Sequence, residues 1–151
     1  AMGAKLAKPK CQVIAVCGDG SFQMSMMELA TFRQHNIQAK IIVFNNSYLG
    51  MVREDQHYAY KDNYSVVNLD GSPNLEKLVS AYDFDYLRLE NNKNSAKIID
   101  KFLKDKRCVF GFKEVSGFER MRFYDESYHA SYNEIIKLIA NEDAMKYFKI
   151  Y

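Results

Sequence analysis

Two short stretches hold the residue types that could do chemistry. Gly18-Asp19-Gly20-Ser21 follows the apolar run Val13 to Val16, and Asn45-Asn46 follows a second apolar run, Ile41 to Phe44. A carboxylate at one strand end and a carboxamide at the next can share a hard cation that takes oxygen ligands. A glycine-flanked backbone and a helix start beside them are suited to hold phosphate. The chemistry described is that of a magnesium-diphosphate site. Taken singly, Asp-Gly and Asn-Asn are ordinary turn dipeptides that need no ligand. Their joint placement points further, because both follow short β-branched runs and each leads into a segment with helical spacing. In open parallel sheets, ligands bind outside the carboxyl ends of the strands.

The elements that must position these residues are readable from the apolar pattern. Gln12 to Cys17 reads as a buried strand ended by glycine and aspartate. From Phe22 to Gln34, the residues Phe22, Met26, Leu29, Ala30 and Phe32 recur at helical spacing, with Ser21 as the expected N-cap. Lys40 to Phe44 is a second strand, and Leu49 to Gln56 a short helix or ordered loop opening from the Asn-Asn turn. Lys61 to Gly71 is polar and irregular; Ser72-Pro73 then offers a cap and a first-turn proline for a helix through Tyr82. Tyr86 to Leu89 is a third strand. Asn94 or Ser95 could cap a helix Ala96 to Leu103, with Ile98, Ile99, Phe102 and Leu103 on one side, and Cys108 to Val115 is a fourth strand. Strand-helix alternation predicts an α/β fold, an open three-layer, mostly parallel sheet with helices on both faces.

After Val115 the text changes. Phe118, Phe123, Tyr124, Tyr128, Tyr132, Tyr147, Phe148 and Tyr151 stand among charges, and Ile135, Ile136, Leu138 and Ile139 suggest one amphipathic helix. Residues 1–115 are therefore read as one domain and 116–151 as an aromatic-rich extension packed on it.

Composition excludes several classes. At 151 residues with 48% hydrophobic content the chain can bury a core of its own. A net charge of +2, with acids and bases interspersed, gives no basic stripe for nucleic acid. No stretch approaches a membrane span, and the start lacks a secretory pattern, so a cytoplasmic protein is expected. Cys11, Cys17 and Cys108 lack paired spacing and read as structural thiols.

At this point the residues resemble a known family. Gly-Asp-Gly followed by Asn-Asn is similar to the signature of the thiamine-diphosphate enzymes. The run Gly18-Asp19-Gly20-Ser21-Phe22-Gln23-Met24, the segment Glu28-Leu29-Ala30-Thr31, and Phe44-Asn45-Asn46-Ser47-Tyr48-Leu49-Gly50-Met51-Val52-Arg53 resemble the large catalytic subunit of acetolactate (acetohydroxyacid) synthase. Weaker similarity continues through Tyr64-Ser65, Leu75 to Tyr82 and Leu87 to Glu90. The resemblance implies a thiamine-diphosphate-binding fold, incomplete at its start, since in that family a glycine-rich segment and a strand precede the part matched by Gly3 to Ala7.

It also implies roles. Asp19 and Asn46 would give side-chain oxygens to magnesium and Tyr48 its backbone carbonyl. Gly18, Gly20 and Ser21 would line the diphosphate, with Leu49, Gly50 and Met51 beside the cofactor and Val52 near it. The cofactors implied are thiamine diphosphate and Mg2+; no residue indicates flavin. The substrate implied is a 2-keto acid, pyruvate being decarboxylated and joined to a second keto acid. The family's activating glutamate lies on a separate pyrimidine-binding domain of a neighbouring subunit, and no segment here reads as that domain. A homo-oligomer or a partner pyrimidine-binding domain is thus expected, and inactivity of the chain alone. Glu28 and His57 are read as surface residues. The match breaks at Glu54-Asp55-Gln56, where these synthases show a tryptophan between two glutamines. Two other readings stay open from the residues themselves: an interaction module with a degenerate site, and a phosphoacceptor-like α/β domain using Asp19.

Overall fold

A computed structural model describes residues 1–89, 95–105 and, as a strand, 108–113; the expected extension from Ser116 onward lies outside the described residues. A short helix α1 (Met2–Ala7) leads to strand β1 (Ile14–Gly18), helices α2 (Asp19–Ser25) and α3 (Glu28–Gln34), and strand β2 (Lys40–Asn45). Then come α4 (Gly50–Tyr60), α5 (Leu75–Ser80), β3 (Asp85–Leu89), α6 (Ser95–Lys104) and β4 (Cys108–Lys113). The four described strands are all parallel, in the order β1-β2-β4-β3.

This order explains where the helices lie. From β1 to β2 to β3 the chain steps across the sheet in one direction, and from β3 to β4 it steps back. Parallel crossovers are right-handed, so a reversal of direction moves the connecting helix to the other face. Correspondingly, α2, α3 and α5 pack Phe22, Leu29, Phe32, Leu75 and Val79 against Ile41 and Val43. On the opposite face, α6 packs Ile99 and Phe102 against Ile42 and Leu89. Strand β2 alternates between the two cores because its side chains point to opposite faces in turn. The expected α/β architecture with helices on both faces is therefore the one observed.

Phe102 is among the largest fully buried side chains. Phe102→Ala should cost about 3–5 kcal/mol from lost burial and an unfilled cavity, read as a lowered urea midpoint. The carboxyl end of the same helix is tied down by a buried lysine. Lys40, 4% exposed, donates through Nζ to the Leu103 carbonyl, which Gln12 Nε2 also reaches at 2.8 Å. A cation at a helix C-terminus meets its unsatisfied carbonyls and the negative end of its dipole.

Four expectations about elements are corrected. The helix foreseen from Phe22 to Gln34 is two helices, joined by a tight turn in which Leu29 and Ala30 donate to Met26 and Met27, three residues back. It also starts earlier, with Gly18 rather than Ser21 as N-cap. Strand β1 is not buried throughout: it pairs on one side only among the described strands, and Val16 is 43% exposed. The cap of α5 is Asn74, whose side chain accepts from Lys77 N–H, not Ser72. Ser72 instead accepts from Gln23 Nε2 at 2.9 Å and donates to the Leu69 carbonyl, binding the loop to α2.

Candidate functional site

The register of the two adjacent strands sets the site. Gly18 of β1 pairs with Phe44 of β2, so Asp19 and Asn45-Asn46 leave the sheet side by side at the carboxyl ends. Asp19 is 3% exposed. Its Oδ2 accepts the Ser47 N–H at 3.0 Å, and the Gly20 and Asn46 N–H groups also favour its charged form. Burial outweighs them and holds the Asp19 carboxyl above the usual carboxylate range. The net result is a desolvated carboxylate aimed by backbone donors, the kind of group whose charge a bound cation would compensate.

The Asn-Asn loop is built around that carboxylate. Ser47 takes a left-handed conformation, with φ at 60°. That bend is held by Asn45 Oδ1, which accepts both the Ser47 N–H at 3.2 Å and the Ser47 hydroxyl at 3.3 Å. Asn46 Oδ1 accepts the Tyr48 N–H at 3.0 Å. An amide oxygen has two lone pairs, so this bond leaves Asn46 able to ligate a cation as well.

Beyond the loop, Tyr48 bridges to Asn68 in antiparallel fashion. The bonds of that bridge belong to the neighbours: Leu49 N–H donates to Val67 and Leu69 N–H to Ser47. Neither of these two bonds uses the Tyr48 carbonyl. Gly20 sits beneath this loop, where a Cβ would come within 2.7 Å of Leu49 Cδ2 and 3.4 Å of Leu69 Cδ1. Any side chain there would press on the residue after Tyr48.

The Asp19 carboxylate and the loop that carries the Asn46 carboxamide and the Tyr48 carbonyl are therefore joined through the Ser47 N–H. Among the described residues no group of three or more His, Cys, Asp or Glu that could hold a metal is found, at this site or at any other. A single carboxylate with neutral oxygens suits magnesium, which keeps several positions for water or phosphate oxygens rather than a full protein cage. The chemistry of these residues, one carboxylate with neutral oxygens, fits a hard divalent cation.

The other candidates are placed as follows. Gly18 and Gly50 are half-buried, as are Tyr48 and Leu49, while the Ser21 side chain is exposed. Met51 is 85% and Val52 47% exposed, so neither is core. Glu28 is exposed in the first turn of α3 and accepts from the Thr31 hydroxyl at 3.0 Å. His57 is exposed and holds Asp62 at 2.6 Å. Cys17 is half-buried beside Ile42, and burial, then the charge of Asp19, raises its thiol pKa, consistent with an unreactive thiol.

Sequence reasoning missed Ser47, which supplies the main-chain donor to Asp19, and Arg53, the buried residue of α4. A non-glycine residue with positive φ after Asn-Asn leaves no signal in the spacing, and Arg53 is buried by tyrosines from elsewhere in the chain.

Residues 1–110 match the family described as "Thiamine pyrophosphate enzyme, C-terminal TPP binding domain". The acetolactate synthase of Arthrospira platensis is 41% identical over 107 residues, covering 70% of this chain and 18% of that protein. The acetolactate synthase large subunit of Buchnera aphidicola is 45% identical over 92 residues, covering 61% of this chain and 16% of that protein. This chain thus spans less than a fifth of the length of those relatives. Among solved structures, the thiamine diphosphate-dependent 4-hydroxybenzoylformate decarboxylase of Rhodococcus jostii RHA1 superposes with a TM-score of 0.66 at 23% identity, covering 74% of this chain and 21% of that one. That likeness establishes the fold.

Proposed function

Since this chain belongs to the thiamine pyrophosphate enzymes, through their C-terminal TPP binding domain, we propose that it anchors the diphosphate of thiamine diphosphate through magnesium in an acetolactate-synthase-like enzyme. The reaction would be decarboxylation of pyruvate and its joining to a second 2-keto acid, in the cytoplasm. The observation that carries the reading is the placement of Asp19 and the Asn46 loop at adjacent strand ends, linked by the Ser47 N–H. Identity to acetolactate synthases supports the reaction class. Residues 1–115 would form the cofactor domain and 116–151 an extension packed on it.

When bound, thiamine diphosphate supplies the electron sink for cleavage beside the keto group. This chain would hold it by one end. Asp19 and Asn46 would give side-chain oxygens to magnesium and Tyr48 its carbonyl. Gly18, Gly20 and Ser21 would offer backbone to the phosphates, and Leu49, Gly50 and Met51 would border the cofactor. Burial of Asp19 excludes water from the ligand oxygen, and its backbone donors fix that oxygen before the cation arrives.

Calorimetry with thiamine diphosphate, with and without magnesium, tests the reading: binding should be seen only with both. Equal binding without magnesium would overturn it. Tyr48→Phe should bind magnesium normally, because the carbonyl and not the phenol is used. A tenfold loss in that variant, about 1.4 kcal/mol, would assign the phenol a direct role.

A further inference from the structure

A main-chain carbonyl cannot be aimed by a rotamer of its own; its direction follows from the backbone angles around it. At Tyr48 those angles are held by the Asn46 bond, by the bridge to Asn68, and by whatever holds the Tyr48 ring. The ring is held by Arg53, one turn into α4, whose guanidinium carbon lies 4.7 Å from its centroid. The same guanidinium lies 3.9 Å from the centroid of Tyr64. Arg53 is only 7% exposed, and it is the buried residue of an otherwise open helix. A desolvated guanidinium stacked on aromatic faces fixes both rings, since its planar shape limits how they can turn.

Tyr64 is itself fastened. Its hydroxyl donates to Asp62 Oδ1 at 2.6 Å, and the same oxygen meets His57 Nδ1 at 2.6 Å. Gln56 and Ser65 exchange two bonds, Nε2 to the Ser65 carbonyl at 3.0 Å and Ser65 N–H to Oε1 at 2.9 Å. The loop after α4 is therefore stitched back onto the helix, with Lys61 and Asp62 in left-handed conformations. A continuous set of contacts runs from this loop through Tyr64 and Arg53 to Tyr48.

Resting on the cation assignment above, we propose that Arg53 is a positioning residue of the magnesium site: held over Tyr64, it holds the Tyr48 ring and so keeps the Tyr48 carbonyl directed to the cation. It touches neither cation nor phosphate. Its loss would be felt in magnesium affinity first, and in cofactor affinity only where magnesium is limiting.

The test is magnesium titration of the 151-residue chain at saturating thiamine diphosphate, followed by calorimetry. Arg53→Met and Tyr64→Leu should each weaken magnesium by about fivefold or more, whereas Tyr64→Phe, which keeps the ring against the guanidinium and loses only its bond to Asp62, should lose less than Tyr64→Leu. At saturating magnesium, cofactor affinity should return in every variant. Tyr48→Leu combined with Arg53→Met should lose no more than the worse single variant, because both act through one carbonyl. Parent-like magnesium affinity in a folded Arg53→Met, or losses that add, would overturn the proposal. Should Arg53→Met fail to fold, a parent-like Tyr64→Leu would overturn it equally. A lowered melting midpoint with unchanged magnesium affinity would show a merely structural role. Asp19→Ala separates the two readings. If it leaves binding intact, the cation site is wrong and this inference falls with it; if it removes binding while the Arg53 and Tyr64 variants do not, only this inference falls.

Discussion

Asp19→Ala should remove magnesium-dependent binding of thiamine diphosphate and leave the fold in place. The loss should be about a hundredfold or more, since even groups that only orient a metal ligand account for up to that factor. The fold should persist because Asp19 stands at the end of β1, outside both apolar cores. Calorimetry measures the loss and circular dichroism the fold. Asn46→Ala should act in the same direction, and Glu28→Ala should not, its carboxylate being exposed on α3. Unchanged affinity in Asp19→Ala would mean the cation is held elsewhere.

The same residue sets a pH dependence. Burial raises the folded pKa of Asp19 above its unfolded value. Protonation is therefore favoured by folding, and the ionised form opposes folding at neutral pH; that penalty is relieved as pH falls through the raised folded value. A protonated carboxyl cannot ligate, so magnesium affinity should begin to fall at a higher pH than for an ordinary aspartate. A cation bound at neutral pH compensates the buried charge and should raise the melting midpoint.

The chain alone should form no acetolactate from pyruvate, even saturated with thiamine diphosphate and magnesium. Anchoring one end of a cofactor lowers the cost of assembly, but rate comes from groups that act at the reacting end in the transition state. By resemblance the activating glutamate belongs to a pyrimidine-binding domain, and the acids near the site here are otherwise placed: Glu28 lies on the α3 surface and Asp55 is exposed on α4. Turnover should appear only when a separately expressed pyrimidine-binding domain from a related synthase is added. Robust turnover without it would mean that an activating acid lies within these residues, with Glu28 and Asp55 the first to replace.

What was legible in the residues was local. Asp19 and Asn46 could be paired because each ends an apolar run, and parallel register carries the two strand ends to one place. The α6 face was legible for the same reason, its Ile99 and Phe102 falling on one stripe. What escaped was either a turn that keeps the helical phase or a contact made by another segment. The apolar series Phe22, Met26, Leu29, Phe32 keeps its phase through the turn at Met26-Met27, because that turn has nearly helical angles, so the pattern hides the break. Ser72 carries a good cap side chain but is claimed by Gln23, leaving Asn74 to start α5. The exposure of Val16 goes with the position of β1 at the end of the described strand order, a property of the sheet rather than of the strand. Arg53 reads as a surface residue of a polar helix until the rings of Tyr48 and Tyr64 are brought over it.

Contact between the cation held at Asp19 and the diphosphate is measured most directly by replacing magnesium with manganese and recording phosphorus electron-nuclear double resonance with thiamine diphosphate bound. A phosphorus coupling of the size given by direct metal-phosphate contact is expected in the parent chain and should be absent in Asp19→Ala. Manganese that binds without phosphorus coupling, or a coupling that survives in Asp19→Ala, would contradict the cation assignment.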